Sequence, residues 1–315
     1  MMQSRETRLP KRACSAAVSG IGAALMLTLA SSAFAQTLTL PSEAYGKVVL
    51  PETQSLGDAA AIAARNRNVF EPIGLLDRSD PLFELARSIV RVDIKLKVGK
   101  GFATSFCTGS LVAPRLILTN HHCFSANESR IVAASVVLDY VNPNGKGARR
   151  VPLTLKAVEA DKALDFSLIP LQQPITDRKP IEIVGPLVKR LSRLLIIHHP
   201  GGRAKVMTRF RCASAGSSPA NGPGLHHRCD TQRGSSGAII FNAARRMVGL
   251  HHSGGLTPND PRSYNRASLM ASVLRRSRVL AQLISRAKAQ PPTAKAPAKP
   301  AGTADAINTI LKKAK

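Results

Sequence analysis

From about residue 69 to about residue 285 the apolar residues come in short runs, and Gly, Pro, Asn or Asp separates each run from the next. SIVRVDIKL, SLVAPRLILT, IVAASVVLDYV, LDFSLIPL, LLIIHHP, AIIF and MVGLHH are the clearest of them. Runs of this length suit strands, and the residues between them suit turns. The pattern predicts an all-β fold, an antiparallel sandwich or barrel. One stretch breaks the texture. Ser268 to Ala287 places Leu269, Val273, Leu274, Leu280 and Leu283 at helical spacing, which predicts a C-terminal helix. Residues 288–302 are nearly all Ala, Pro and Lys. Such a composition buries no core, so 288–315 is expected to be a disordered basic tail.

At the other end, Arg5, Arg8, Lys11 and Arg12 stand against a single acid, Glu6. An apolar stretch from Ala16 to Ala30 follows, then Ala33-Phe34-Ala35. Basic, then apolar, then small residues predict a secretory signal peptide over 1–35, cut before Gln36. The apolar run is short for a membrane span of about 20 residues. Cys14 precedes the apolar core, so it is not a lipoprotein cysteine. The mature chain is expected to be secreted or periplasmic, with no transmembrane segment. Residues 36–68, with the Ala-rich DAAAIAARNR, read as a propeptide or a loosely packed arm. Without Cys14 there remain Cys107, Cys123, Cys212 and Cys229. In an exported chain these imply two disulfides, with three pairings open from counting alone.

Composition excludes several classes. With 44% hydrophobic residues the chain is not wholly disordered, and five cysteines in 315 residues do not make a disulfide-dense miniprotein. Lys and Arg number 45 against 19 Asp and Glu, a formal charge of +26. That balance attracts polyanions. An anionic cell-envelope polymer bound through the tail is one expected partner; specific nucleic acid is not.

Three separated segments carry chemistry: CTGSLVAPRLILTNHHCF at 107–124, LDFSLIPL at 164–171 and CDTQRGSSGAIIF at 229–241. A serine is inert until a base takes its proton. The base needs a carboxylate to hold its tautomer, and the oxyanion needs backbone N–H donors. The segments supply histidine, aspartate and serine in that order. Asp161 competes with Asp165, but no apolar run follows it directly. Ser235 competes with Ser236, but only Ser236 is followed directly by glycine. All eight histidines occur as adjacent pairs. Neighbouring side chains on a strand point to opposite faces, so such a pair does not readily chelate one ion, and no metal is expected. His121, His198, His199, His226 and His227 read as loop or surface residues.

TNHHC resembles the Thr-Ala-Ala-His-Cys motif of chymotrypsin-fold serine proteases, which makes His122 the base. CTGSL resembles the family's Cys-Gly-Gly-Ser-Leu strand, LDFSLIPL its Asp-aliphatic-Ala-Leu-Leu strand, and GSSGA its Gly-Asp-Ser-Gly-Gly box. The resemblance covers about 69–285 and implies a protease domain over 69–287. It implies two six-stranded antiparallel β-barrels and a catalytic triad of His122, Asp165 and Ser236. It also implies an oxyanion hole from the N–H groups of Gly234 and Ser236, and no cofactor. It implies a Cys107–Cys123 disulfide, and by exclusion Cys212–Cys229. The substrates would be proteins or peptides.

Ser235 stands where trypsin-like zymogens carry the Asp that pairs with the freed N-terminus. The glutamyl endopeptidase branch of the fold lacks that Asp too. VFEPIGLLDR at 69–78, HHPGG at 198–202 and GLHHSGG at 249–255 resemble segments of that branch. The comparison implies a mature chain starting near Val69, after a propeptide over 36–68. It also implies that Thr231 and His251 contact an acidic side chain before the cut. Asp230 is a counter-signal, because trypsin keeps its pocket-floor Asp six residues before the nucleophile. Acidic, basic and broad preferences therefore stay open. Two other functions compete. One is a catalytically silent protease-like module that binds anionic cell-surface polymer. The other is a periplasmic quality-control protease, which would usually carry a peptide-binding domain after the protease domain.

Overall fold

Both faces of most strands are buried, which is why so many apolar runs are continuous rather than alternating. The computed structural model describes residues 38–49, 69–125, 130–215, 222–257 and 260–289. The predicted signal peptide, most of the pro-segment and nearly all of the tail lie outside them. In chain order the strands are β1 (Leu38–Pro41), β2 (Glu71–Pro72), β3 (Ile89–Val98), β4 (Gly101–Ala113) and β5 (Leu116–Thr119). Next come β6 (Ile131–Leu138), β7 (Arg149–Pro152), β8 (Glu159–Asp161), β9 (Phe166–Pro170) and β10 (Leu194–His198). The last are β11 (Val206–Thr208), β12 (Gly224–His227), β13 (Ile239–Asn242), β14 (Met247–Ser253) and β15 (Asn265–Leu269). The helices are α1 (Pro81–Arg87), α2 (His121–Phe124), α3 (Met270–Arg276) and α4 (Arg278–Ala289).

The strands form two antiparallel sheets. The first runs β7-β6-β3-β4-β5-β9-β8, with β1 paired to β4. The second runs β12-β15-β14-β13-β10-β11-β2. This two-sheet, mostly β architecture is the chymotrypsin type. Among the described residues the sheets have eight and seven strands rather than six each, and neither closes as a continuous ladder. Their ends meet through isolated bridges: Leu153–Leu171 in the first sheet, Arg193–Ala213 and Ser214–His227 in the second.

Side-chain alternation sorts the apolar residues into three cores. Ile117, Val92, Val136 and Ile169 fill the first sheet. Leu194, Ile196, Ile240 and Val248 fill the second. Their strand neighbours Leu118, Leu168, Leu195, Ile197, Ile239 and Phe241 form the layer between the sheets, together with Met270, Val273 and Leu280 of the helices.

The C-terminal helix differs from the single one predicted. Residues up to Leu269 belong to β15, and the helix then breaks at Ser277, whose backbone is extended. Ser277 Oγ accepts from the Leu280 N–H, and the Glu159 carboxylate accepts from the Arg278 and Val279 N–H groups. These acceptors satisfy the first donors of α4, so a second helix starts there. The arm also differs from a loose one. Leu38 to Pro41 pairs with β4 from Phe106 to Ala103, and Leu40 and Ala44 pack on Phe106. Among the described residues no helix is long and apolar enough to cross a membrane.

Both cysteine pairs are joined, Cys107 to Cys123 and Cys212 to Cys229. The first ties α2, which carries His122, to the centre of β4. It closes a loop with a sequence separation of 16, worth about 3 kcal/mol by loop closure. Replacing Cys107 and Cys123 by Ser should lower the unfolding free energy by about that amount in urea titrations.

Candidate active site

His122 lies in the single turn of α2, directly after β5. Its Nδ1 is 2.6 Å from Asp165 Oδ2, and its backbone N–H donates to Asp165 Oδ1 at 2.8 Å. Asp165 sits just before β9 with φ +49, a conformation that aspartate tolerates better than most residues. The Asn120 amide donates to the Asp165 carbonyl and holds that turn. With Nδ1–H directed at the carboxylate, Nε2 is the basic atom. It is buried and makes no hydrogen bond among the described residues. Asp161 is occupied elsewhere, accepting from the Leu164 N–H and from Arg276.

Ser236 lies in the turn 232–237 that leads into β13, and it is nearly buried. Gly234 and Gly237 take φ +92 and +85. A Cβ on Gly234 would meet the His199 carbonyl at 2.7 Å, and one on Gly237 the Thr108 carbonyl at 2.2 Å. Only glycine fits at either position. Thr108 of β4 clasps this turn, its N–H donating to Ser236 O and its hydroxyl to Gly234 O. Gly201 N–H donates to Arg233 O from the other side. Among the described residues neither the Gly234 nor the Ser236 N–H donates to a backbone carbonyl. Ser235 is fully buried, its hydroxyl accepting from the Gln232 N–H and meeting His198 Nδ1 at 2.7 Å.

Sequence reasoning treated His198, His199 and His227 as loop or surface residues, and the structure corrects this. All three are fully buried. His198 and His227 stand on strands with their own side chains in the interior, and His199 stacks on Tyr140. Cys229 N–H donates to His227 Nδ1, so His227 Nε2 carries the proton and donates to His251 Nδ1 at 3.0 Å. His251 Nε2 then keeps its own proton and can only donate. Burial holds His227 down to about 3 and His251 well below its ordinary value, so both are neutral. Thr231 accepts from the Asn265 amide at 3.0 Å. Asp230 accepts the backbone N–H of Val69 at 3.0 Å. Cys107, His122 and Cys123 form a compact cluster, but both sulfurs are spent in the disulfide.

Residues 107–250 match the family model described as trypsin-like peptidase domain. A probable serine protease of Lysobacter enzymogenes is 26% identical over 76% of this chain and 37% of its own length. An uncharacterized protein of Sinorhizobium fredii is 28% identical over 54% of this chain and 28% of its own length. The chain thus spans about a third of the length of these curated relatives. These likenesses support a serine protease. Among solved structures, the serine endoprotease from Yersinia pestis superposes with a TM-score of 0.49 at 15% identity, covering 67% of this chain and 68% of that one. Rv3671c from M. tuberculosis H37Rv gives 0.44 at 16%, covering 68% and 94%. The strand order, rather than those superpositions, carries the fold.

The buried histidines set an acid limit on stability. His198 and His227 are held down to about 3 by burial, against an ordinary 6.5. Between those values the unfolded chain binds protons that the folded chain does not, so stability rises with pH there. The stabilisation is complete above pH 6.5 and is lost as pH falls towards 3. Urea midpoints should drop between about pH 6.5 and about pH 4.5, above the range where most carboxylates titrate. A His198→Gln/His227→Gln double variant should show a shallower slope.

Proposed function

We propose that this chain is an exported serine endopeptidase working through His122, Asp165 and Ser236. The observation that carries the reading is His122 itself: Nδ1 is tied to a carboxylate, and among the described residues the buried Nε2 has no partner. Ser236 Oγ attacks the peptide carbonyl while its proton passes to His122 Nε2. The Gly234 and Ser236 N–H groups receive the oxyanion. The imidazolium, stabilised by Asp165, returns its proton to the leaving amine, and an acyl-enzyme remains. Water, deprotonated by the same Nε2, releases the acid. These steps use only the protein, the peptide and water.

Cleavage after acidic residues is the specificity we favour. The hydrogen-bond chain from Cys229 through His227 leaves His251 as a donor, which suits a carboxylate and not an ammonium. Asp230, the residue that would attract a basic side chain, is already engaged by Val69 N–H. Processing before Val69 would replace that amide by an ammonium at the same carboxylate and neutralise it further.

The test is a peptide library read by mass spectrometry, with N-terminally processed wild type and Ser236→Ala. Wild type should cut after Glu or Asp, and the variant should lose at least about 10⁴-fold in rate. His227→Leu should reduce the preference for Glu over Gln by roughly tenfold, because it unties His251. N-terminal sequencing of the secreted protein should find Val69 or a near neighbour. No cleavage by processed wild type would favour the silent binding module instead.

A further inference from the structure

Arg91 is a fully buried guanidinium on the outer face of β3, and it stands between the N-terminal arm and the loop behind the oxyanion turn. All five of its N–H donors are used. Nε and one Nη2 hydrogen go to the Asp93 carboxylate. Nη1 donates to Gly202 O at 2.6 Å and to Val48 O at 2.7 Å. Nη2 also donates to Lys47 O at 2.7 Å. The rings of Phe106 and Tyr140 lie 5.0 and 5.1 Å from its carbon centre. Asp93 is held in turn by Arg150.

Gly202 links this guanidinium to the chemistry. Its N–H donates to His199 O, the carbonyl that a Cβ on Gly234 would strike, and Gly201 N–H donates to Arg233 O. A continuous set of contacts therefore runs from the arm at 47–48 through Arg91 to the turn that carries Gly234 and Ser236. Without the arm, two donors of a charged group lose the carbonyls that now pair them, and the guanidinium is free to turn towards other acceptors, water among them.

We propose that residues 38–49 are a permanent strap of the enzyme, with Arg91 the positioning residue that transmits arm docking to the oxyanion turn. A cut before Val69 leaves the strap bound as a second chain instead of discarding it. The proposal rests on reading Ser236 as the nucleophile.

Its test uses the full chain with Leu40→Asp, which undocks the arm and leaves Arg91 and Asp93 intact, and Arg91→Lys, which keeps the charge. Peptidase kcat should fall about 10- to 100-fold in each, with KM changed less than about twofold. The double variant should be no worse than the worse single one. Amide hydrogen exchange at Gly201 and Gly202 should quicken in both. Unchanged kcat in the folded variants, whatever their thermal stability, would overturn the proposal, as would additive losses. Full activity in processed enzyme separated from the 38–49 fragment would overturn it too. If wild type proves inactive, the endopeptidase reading fails, and the exchange at Gly201 and Gly202 in Leu40→Asp still decides whether arm and turn are coupled. Should Leu40→Asp fail to fold, Arg91→Lys alone carries both readouts.

Discussion

Thr108 is the point at which the two sheets are held together around the candidate site. Its residue neighbour Cys107 is bonded to Cys123, next to His122, and its own N–H and hydroxyl hold the turn that contains Ser236. His122 comes from the first sheet and Ser236 from the second, and neither sheet positions both. What allows the approach is the missing side chain at Gly237, where any Cβ would sit inside van der Waals contact with the Thr108 carbonyl. The apolar layer between the sheets supplies cohesion without direction. The hydrogen bonds at Thr108 supply direction over a few ångströms.

Around that point several polar groups are buried and paired, the histidines kept neutral by burial and Arg91 balanced by Asp93. His198 holds Ser235, His227 holds His251, and Arg91 holds Asp93 together with three carbonyls. Such groups add little net stability, since desolvation offsets most of what their hydrogen bonds return. They give orientation instead. A neutral histidine that accepts at one nitrogen can only donate at the other, so a chain of two fixes the polarity of the far end. The cost is sensitivity to acid, because the same imidazoles take up protons once the chain unfolds.

Much of this was legible in residue order. Short apolar runs read as strands because a strand exposes alternate side chains to two faces, and here both faces are dry. Asp165 stood out from Asp161 by the apolar run that follows it, and in the structure it is Asp165 that accepts from His122. The helix break at Ser277 was hidden, because the acceptor that starts α4 belongs to Glu159, more than a hundred residues earlier. His198, His199 and His227 looked like surface residues because polar type was the only signal. Their partners Ser235, Tyr140 and His251 are distant in sequence.

By itself the sequence determined the alternation of strand and turn, the order of His122, Asp165 and Ser236 along the chain, and the glycines on either side of the Ser235-Ser236 pair. These are local properties, set by side-chain type and by which backbone angles a residue tolerates. The tertiary structure alone decided which charges are buried, which nitrogen of His227 and His251 carries the proton, and what the arm before Val69 rests on. Those depend on groups brought within about 3 Å across long stretches of chain, where hydrogen bonds form. Arg91 shows the difference: along the chain it is one basic residue among 45 Lys and Arg, and in the fold it is one that uses every donor it has.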